Sequence, residues 1–71
     1  MAFTLKIETG NAAFGDADSS EYYSERAEEV GRILRELASE LLSERSPRDG
    51  EQGILRDHNG NTVGDWAFMT D

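Results

Sequence analysis

The sequence predicts a single α+β domain in the order β-α-β-β, with a three-stranded antiparallel sheet packed on one long helix. Three observations carry that fold class. Tyr23, Ala27, Val30, Leu34, Leu37 and Leu41 recur at alternating steps of four and three residues, with Ile33, Ala38 and Leu42 widening the stripe. This is the period of a helix that buries one broad face. Ala2 to Thr9 alternates, with Phe3, Leu5 and Ile7 on one side and Thr4, Lys6 and Glu8 on the other, the period of a half-buried strand. Two further strand-like runs, Gly53–Asp57 and Thr62–Met69, flank Asn59-Gly60. Asn-Gly between such runs is a strong hairpin signal, because a type I′ turn needs positive φ at both central residues.

Taken in order, Gly10-Asn11 ends the first strand. Ala12-Ala13-Phe14 is a short apolar return that either covers one edge of the core or forms a brief fourth strand. The polar run Gly15 to Ser20 leads into the helix. Asp18 or Ser20 is placed to accept from the free amides of the first turn, and Asp18 followed by Glu21 matches the reciprocal capping pattern with Asp in place of Ser or Thr. The helix is expected from about Ser20 to Arg45, where Pro47 stops it by disfavouring helical geometry at Ser46. Gly31 costs about 1 kcal/mol relative to Ala inside a helix, so a strand or ring is expected close beside it. Ser46 to Gln52 reads as an exposed linker.

In the hairpin Leu55 is set opposite Gly64 and Arg56 opposite Val63. Leu55, Gly64, Trp66 and Phe68 then share the core side, and Ile54, Val63, Asp65 and Ala67 the other. Gly64 is expected to make room for Trp66 or for the helix. The expected core is Phe3, Leu5, Ile7, Phe14, Val30, Leu34, Leu37, Leu41, Leu55, Trp66 and Phe68. Tyr22 lies off the helical stripe and is expected to be exposed.

Composition narrows the function. A chain of 71 residues buries only about 60% of its unfolded surface, which leaves room for one thin core. There is no cysteine, hence no disulfide or thiolate metal site, and no apolar run approaches the roughly 18 residues of a membrane span. Lys and Arg number seven against fifteen Asp and Glu, a net charge of −8. Direct binding to nucleic acid or an anionic membrane needs clustered cations, so neither is expected. A basic protein surface is the natural partner.

The excess charge is localised. Residues 11–30 carry Asp16, Asp18, Glu21, Glu25, Glu28 and Glu29 against Arg26 alone, whereas residues 1–10 and 31–50 are neutral. Acids at a helix N-terminus stabilise it by about 0.3–1 kcal/mol each, which accounts for two or three of them. Six in one place repel one another, and that points to a basic partner. Beyond them, Arg32 and Arg35 pair with Glu28, Glu29 or Glu36 at helical spacing and read as a solvated face.

Asp57, Asn59 and Asn61 match the first, third and fifth ligand positions of a calcium loop. The sixth and twelfth, which need Gly and Glu, hold Thr62 and Phe68, so these residues read as turn formers and no metal is expected. His58, the one histidine, is accompanied by no nucleophile motif and no phosphate loop. No cofactor and no enzymatic activity are expected.

The run from Phe3-Thr4-Leu5 through Asn11-Ala12-Ala13-Phe14, then VGRILREL at Val30–Leu37, then Leu55-Arg56-Asp57 with Asn59-Gly60-Asn61 and Val63-Gly64, resembles a group of small proteins from phages and prophages of proteobacteria. That group includes a family of type I-F anti-CRISPR proteins. The resemblance spans most of the chain, although the loop Gly15–Tyr23 and the linker Ser46–Gln52 look longer than is usual for the group. It implies inhibition of a CRISPR surveillance complex in the cytoplasm of the infected host. Acidic side chains would occupy the basic surface of the subunit that recognises the DNA motif, imitating phosphates. Asp16 matches an acidic loop position of the family, and Glu25, Glu28, Glu29 and Glu36 are counterparts of its helix acids. With Asp18 and Glu21 these form the expected partner-binding set. The alternative is a phage accessory protein without that activity, homodimeric through a sheet face containing Ile54 and Ala67. A monomer is the favoured state.

Overall fold

Alternation makes Ala2–Ile7 the first strand, β1, two residues shorter than expected. A computed structural model of the chain describes residues 1–43 and 45–70. After β1, Ala12–Phe14 form one 3₁₀ turn and no fourth strand. Asn11 caps it, its side-chain oxygen accepting from the Ala13 N–H at 2.8 Å. Helix α1 runs Tyr22–Leu41, and β2 (Gln52–Arg56) and β3 (Thr62–Met69) complete an antiparallel sheet of order β1-β3-β2. The predicted α+β architecture with one long helix is therefore present.

The helix is shorter at both ends than expected. Neither Asp18 nor Ser20 caps it. Glu21 occupies the N-cap position without a side-chain capping bond, and Ser19 shapes the turn before it, its Oγ accepting from the Glu21 N–H at 3.1 Å while its carbonyl accepts from the Tyr22 N–H at 3.2 Å. At the other end the Leu42 N–H closes the last turn on Ala38 O at 3.0 Å. Glu44, within the expected extension to Arg45, lies outside the described residues.

The helix is also rotated about its axis relative to the expected stripe. Glu29, Ile33 and Leu37 are buried, Tyr22, Arg26, Val30 and Leu41 half-buried, and Tyr23, Ala27, Leu34 and Ala38 exposed. The core is Ala13, Phe14, Ile33, Leu37, Leu55, Val63 and Trp66, with Ile7, Val30, Leu41 and Phe68 packed around it. Phe14 is completely buried. Phe3 (43% exposed), Leu5 (38%) and Leu34 (42%) stand outside the core that was expected to hold them. The physical reason is placement: α1 packs on β2 and on the 3₁₀ turn, so the β1 side of the same sheet face is left open.

The hairpin departs from a type I′ turn. Asp57 O accepts from the Gly60 N–H at 3.0 Å, and the Asp57 N–H donates to Asn61 O at 2.9 Å. The loop is thus His58-Asn59-Gly60. Gly60 has φ of +85° and, among the described residues, no non-glycine residue has positive φ, so the left-handed position of the loop falls on Gly60 alone. Leu55 pairs with Gly64 as expected, but Arg56 pairs with Thr62 across a bulge. Val63, at that bulge, is buried in the core instead of on the outer face; an extra residue breaks the strict alternation of sides.

Glycine roles are also redistributed. A Cβ on Gly53 would lie 2.5 Å from Nε1 of Trp66, so Gly53, not Gly64, makes room for the indole. The indole N–H is buried without a hydrogen-bond partner among the described residues. Gly64 instead lets the backbone of β1 approach, since its Cβ would stand 1.9 Å from the Lys6 carbonyl oxygen. A Cβ on Gly31 would meet nothing within 4 Å beyond the backbone of its own helix, so no close contact explains that residue. Gly31→Ala is expected to stabilise the domain by about 1 kcal/mol, raising its melting temperature by about 4–8 °C. A thermal melt followed by circular dichroism checks it.

Candidate acidic interface

The loop between the 3₁₀ turn and α1 folds back on the helix start through short-range bonds that its Asp and Ser residues favour. Asp16 Oδ1 accepts from the Asp18 N–H at 2.9 Å, and Asp16 O from the Ser19 N–H at 2.8 Å. Ser19 Oγ reaches Glu25 Oε1 at 3.4 Å. Gly15, with φ of +99°, passes so close beneath Glu25 that a Cβ there would meet Oε2 at 2.8 Å. Asp16, Asp18, Glu21 and Glu28 are exposed and Glu25 half-buried. Among the described residues none of these five carboxylates forms an ion pair, whereas Glu8, Glu29, Glu36 and Glu51 all do. The sole cation of residues 11–30, Arg26, lies 5.1 Å from the ring centroids of both Tyr22 and Tyr23, a cation–π arrangement. Tyr23 is 75% exposed and Tyr22 half-buried, the reverse of the expectation for Tyr22.

Glu29 does not belong to this surface. It is 6% exposed; its Oε1 accepts from Arg32 Nε at 2.7 Å, and its Oε2 from Arg32 Nη2 at 3.0 Å and from the His58 N–H at 2.7 Å. Arg32 Nη2 also donates to Arg56 O at 3.2 Å. The Arg32 guanidinium holds the Glu29 carboxyl below its ordinary range against the opposing effect of burial, with the His58 N–H assisting. The expected partner-binding role of Glu29 is thus replaced by a structural one, fastening α1 to the hairpin loop. Glu36 is exposed, but Arg32 Nη1 neutralises it at 3.0 Å, away from the loop cluster.

A second buried carboxylate completes the fastening. Asp57 is 4% exposed, and its Oδ1 accepts from the N–H groups of Asn59 and Asn61, both at 2.9 Å. Its Oδ2 accepts from Asn11 Nδ2 at 2.8 Å and Asn61 Nδ2 at 3.2 Å. Burial would push the Asp57 carboxyl up, but the Asn61 N–H, the Asn11 and Asn61 amides and the Asn59 N–H together bring it down to about 2. The turn-forming reading of Asp57-x-Asn-Gly-Asn holds. What that reading lacks is Asn11, 46 residues away, whose only local signal is its position before an apolar 3₁₀ turn.

An ordinary Asp titrates near 3.9, so the unfolded chain takes up this proton before the folded one does. The stability contributed by Asp57 is complete above about pH 4 and is lost as pH falls through about 2. Glu29, also held low, acts in the same direction. Asp57→Asn sets an amide against the Asn11 and Asn61 donors, so its melting temperature falls below that of the native chain at neutral pH. The gap narrows between about pH 4 and 2, as paired melts across that range would register. A constant gap would assign the acid limb to other carboxylates.

The Glu25–Glu28–Glu29–Arg32 side of α1 and Ala12, Ala13 and Gly15 form, with His58, an open groove of about 430 Å³. Among the described residues no group of three or more His, Asp or Glu could hold a metal ion, and no helix is long and apolar enough to cross a membrane. No protein-family model matches the chain, and comparison with curated proteins and with solved structures returns no match.

Proposed function

We propose that the chain is a phage-derived inhibitor that blocks the basic DNA-recognising surface of a type I CRISPR surveillance complex by presenting carboxylates in place of phosphates. The observation that carries this reading is the unpaired acidic end: Asp16, Asp18, Glu21, Glu25 and Glu28 around one loop and helix start, without an ion pair among the described residues. The resemblance of the chain to a type I-F anti-CRISPR family supplies the target. Charged groups left unneutralised on one end steer association with an oppositely charged surface. Such a partner offers Lys and Arg already arranged for a polyanion. The reaction partner acts in the cytoplasm of the infected bacterium, and no catalysis by this chain is involved.

The test is titration of a purified type I-F surveillance complex with this protein while target-DNA binding is followed. Loss of DNA binding at near-stoichiometric protein supports the reading, with inhibition weakening as salt shortens the Debye length from about 8 Å toward 3 Å. DNA binding that survives a saturating excess rejects it for that target. The accessory-protein alternative through Ile54 and Ala67 has weaker support, because the face carrying them also carries Lys6 and Asp65 at its centre, paired across β1 and β3.

A further inference from the structure

We infer that the outer edge of β1 pairs antiparallel with β1 of a second copy, joining two sheets into one of six strands about a two-fold axis at Leu5. This inference does not rest on the proposed function. The Glu8 N–H donates to Val63 O at 2.7 Å, and β1 keeps the same register with β3 from Ala2↔Met69 to Ile7↔Gly64. Alternation of bonded and non-bonded pairs therefore turns the N–H and C=O groups of the even residues toward β3. Those of Phe3, Leu5 and Ile7 face outward, and no partner for them exists among the described residues.

Several features make this edge a pairing surface and exclude the other one. β1 contains no Pro and no bulge, and its one charged residue, Lys6, turns its backbone N–H and C=O toward β3 and not to the outer edge. β2 carries Gly53, its ladder with β3 is interrupted after Leu55 by the bulge at Val63, and the Arg56 carbonyl on it is taken by Arg32. The 3₁₀ turn that follows β1 is tied through Asn11 to Asp57 of the β2–β3 loop, so the chain leaves the β1 edge uncovered.

The occupant is identified by register and charge. Setting Leu5 opposite Leu5 and Phe3 opposite Ile7 satisfies all three outward N–H and all three outward C=O groups of each copy. It also places Thr4 opposite Lys6 and Ala2 opposite Glu8, so no like charges face each other. Phe3 and Leu5, left open on the sheet face, gain apolar neighbours from the second copy. Residues 1–10 are neutral on a chain of net charge −8, so this is a stretch along which two copies approach without opposing carboxylate clusters. One strand edge with few side chains is a small interface, so association is reversible and concentration-dependent.

Hydrogen exchange of the native chain at rising concentration tests this directly. The amides of Phe3, Leu5 and Ile7 are expected to gain about tenfold or more protection while light scattering reports a doubling of mass. Added salt strengthens the association by screening the two net charges. Leu5→Lys, which sets two ammonium groups opposite each other at the axis, returns the mass to a monomer, and Ile54→Asp leaves association intact. Unprotected Phe3, Leu5 and Ile7 amides at the highest concentration overturn the inference, as does a monomer mass throughout. So does a dimer that Ile54→Asp abolishes. Should Leu5→Lys fail to fold, the exchange pattern of the native chain decides by itself.

Discussion

Gly64→Ala is expected to unfold the domain or leave it melting far below the native chain. The added methyl group would stand 1.9 Å from the Lys6 carbonyl oxygen and 2.9 Å from its carbon, both backbone atoms that no rotamer change can move aside. Relief requires β1 to withdraw from β3 at the Ile7↔Gly64 pair, breaking ladder bonds on either side. Overpacking in a well-packed region costs typically 1–3 kcal/mol and more where backbone must shift. A domain of this size has a total stability of about 4–10 kcal/mol. Reduced freedom of the unfolded chain returns only about 0.4–1 kcal/mol. Thermal melts of Gly64→Ala and Gly31→Ala side by side make the contrast: the same substitution is destabilising in the strand and stabilising in the helix. Gly64→Ala melting within a few degrees of the native chain would show that the two strands do not approach as closely as described.

Inhibition is expected to fall on the order of a hundredfold or more in the triple variant Asp18→Lys, Glu21→Lys, Glu28→Lys. These three carboxylates are exposed, and none accepts a hydrogen bond in the folded chain among the described residues. Reversal therefore acts on the partner surface more than on the fold. Its cost to the helix is about 0.3–1 kcal/mol for each cation near the N-terminus. The control is Glu40→Lys, Asp49→Lys, Asp65→Lys, which changes the net charge equally at exposed positions outside the cluster. Retained inhibition in the control and loss in the first variant localises the site to the loop and helix start. Equal loss in both would reduce the effect to overall charge and remove the case for a defined interface. Melts and far-ultraviolet spectra of both variants separate binding from folding.

How much of this was legible in the sequence depends on the range of the interaction involved. β3 was read to its ends, and the Leu55–Gly64 pairing was read correctly, because alternation and the turn residues are local signals. The bulge at Val63 was not, since a three-residue loop with Gly60 left-handed moves Arg56 opposite Thr62 and the bulge then restores the register from Leu55 onward, and Asn-Gly serves both loop lengths. In the candidate site, the exposed acids Asp16, Asp18, Glu21 and Glu28 stand where the charge count put them. Glu29 does not, because adjacent carboxylates on a helix look alike in sequence, and only Arg32 together with the distant His58 N–H distinguishes this one. The same applies to Ser19, whose turn ahead of the helix is hidden among several polar residues that qualify equally.

What the sequence by itself determined is the order of elements, the identity of the long helix and the concentration of negative charge in residues 11–30. All three arise from period, turn chemistry and composition, which act over a few residues. Tertiary structure alone decided which side of the helix is core. Two apolar stripes overlap along α1, one through Tyr23, Ala27, Val30 and Leu34 and one through Tyr22, Val30, Ile33 and Leu37, and periodicity cannot choose between them. The choice is made by the buried Glu29–Arg32 clasp to the hairpin loop and by Phe14 packed on the helix, contacts between residues far apart in the chain. That rotation buries Glu29 and leaves Glu28 exposed, while the placement of α1 over β2 and the 3₁₀ turn opens the β1 half of the sheet.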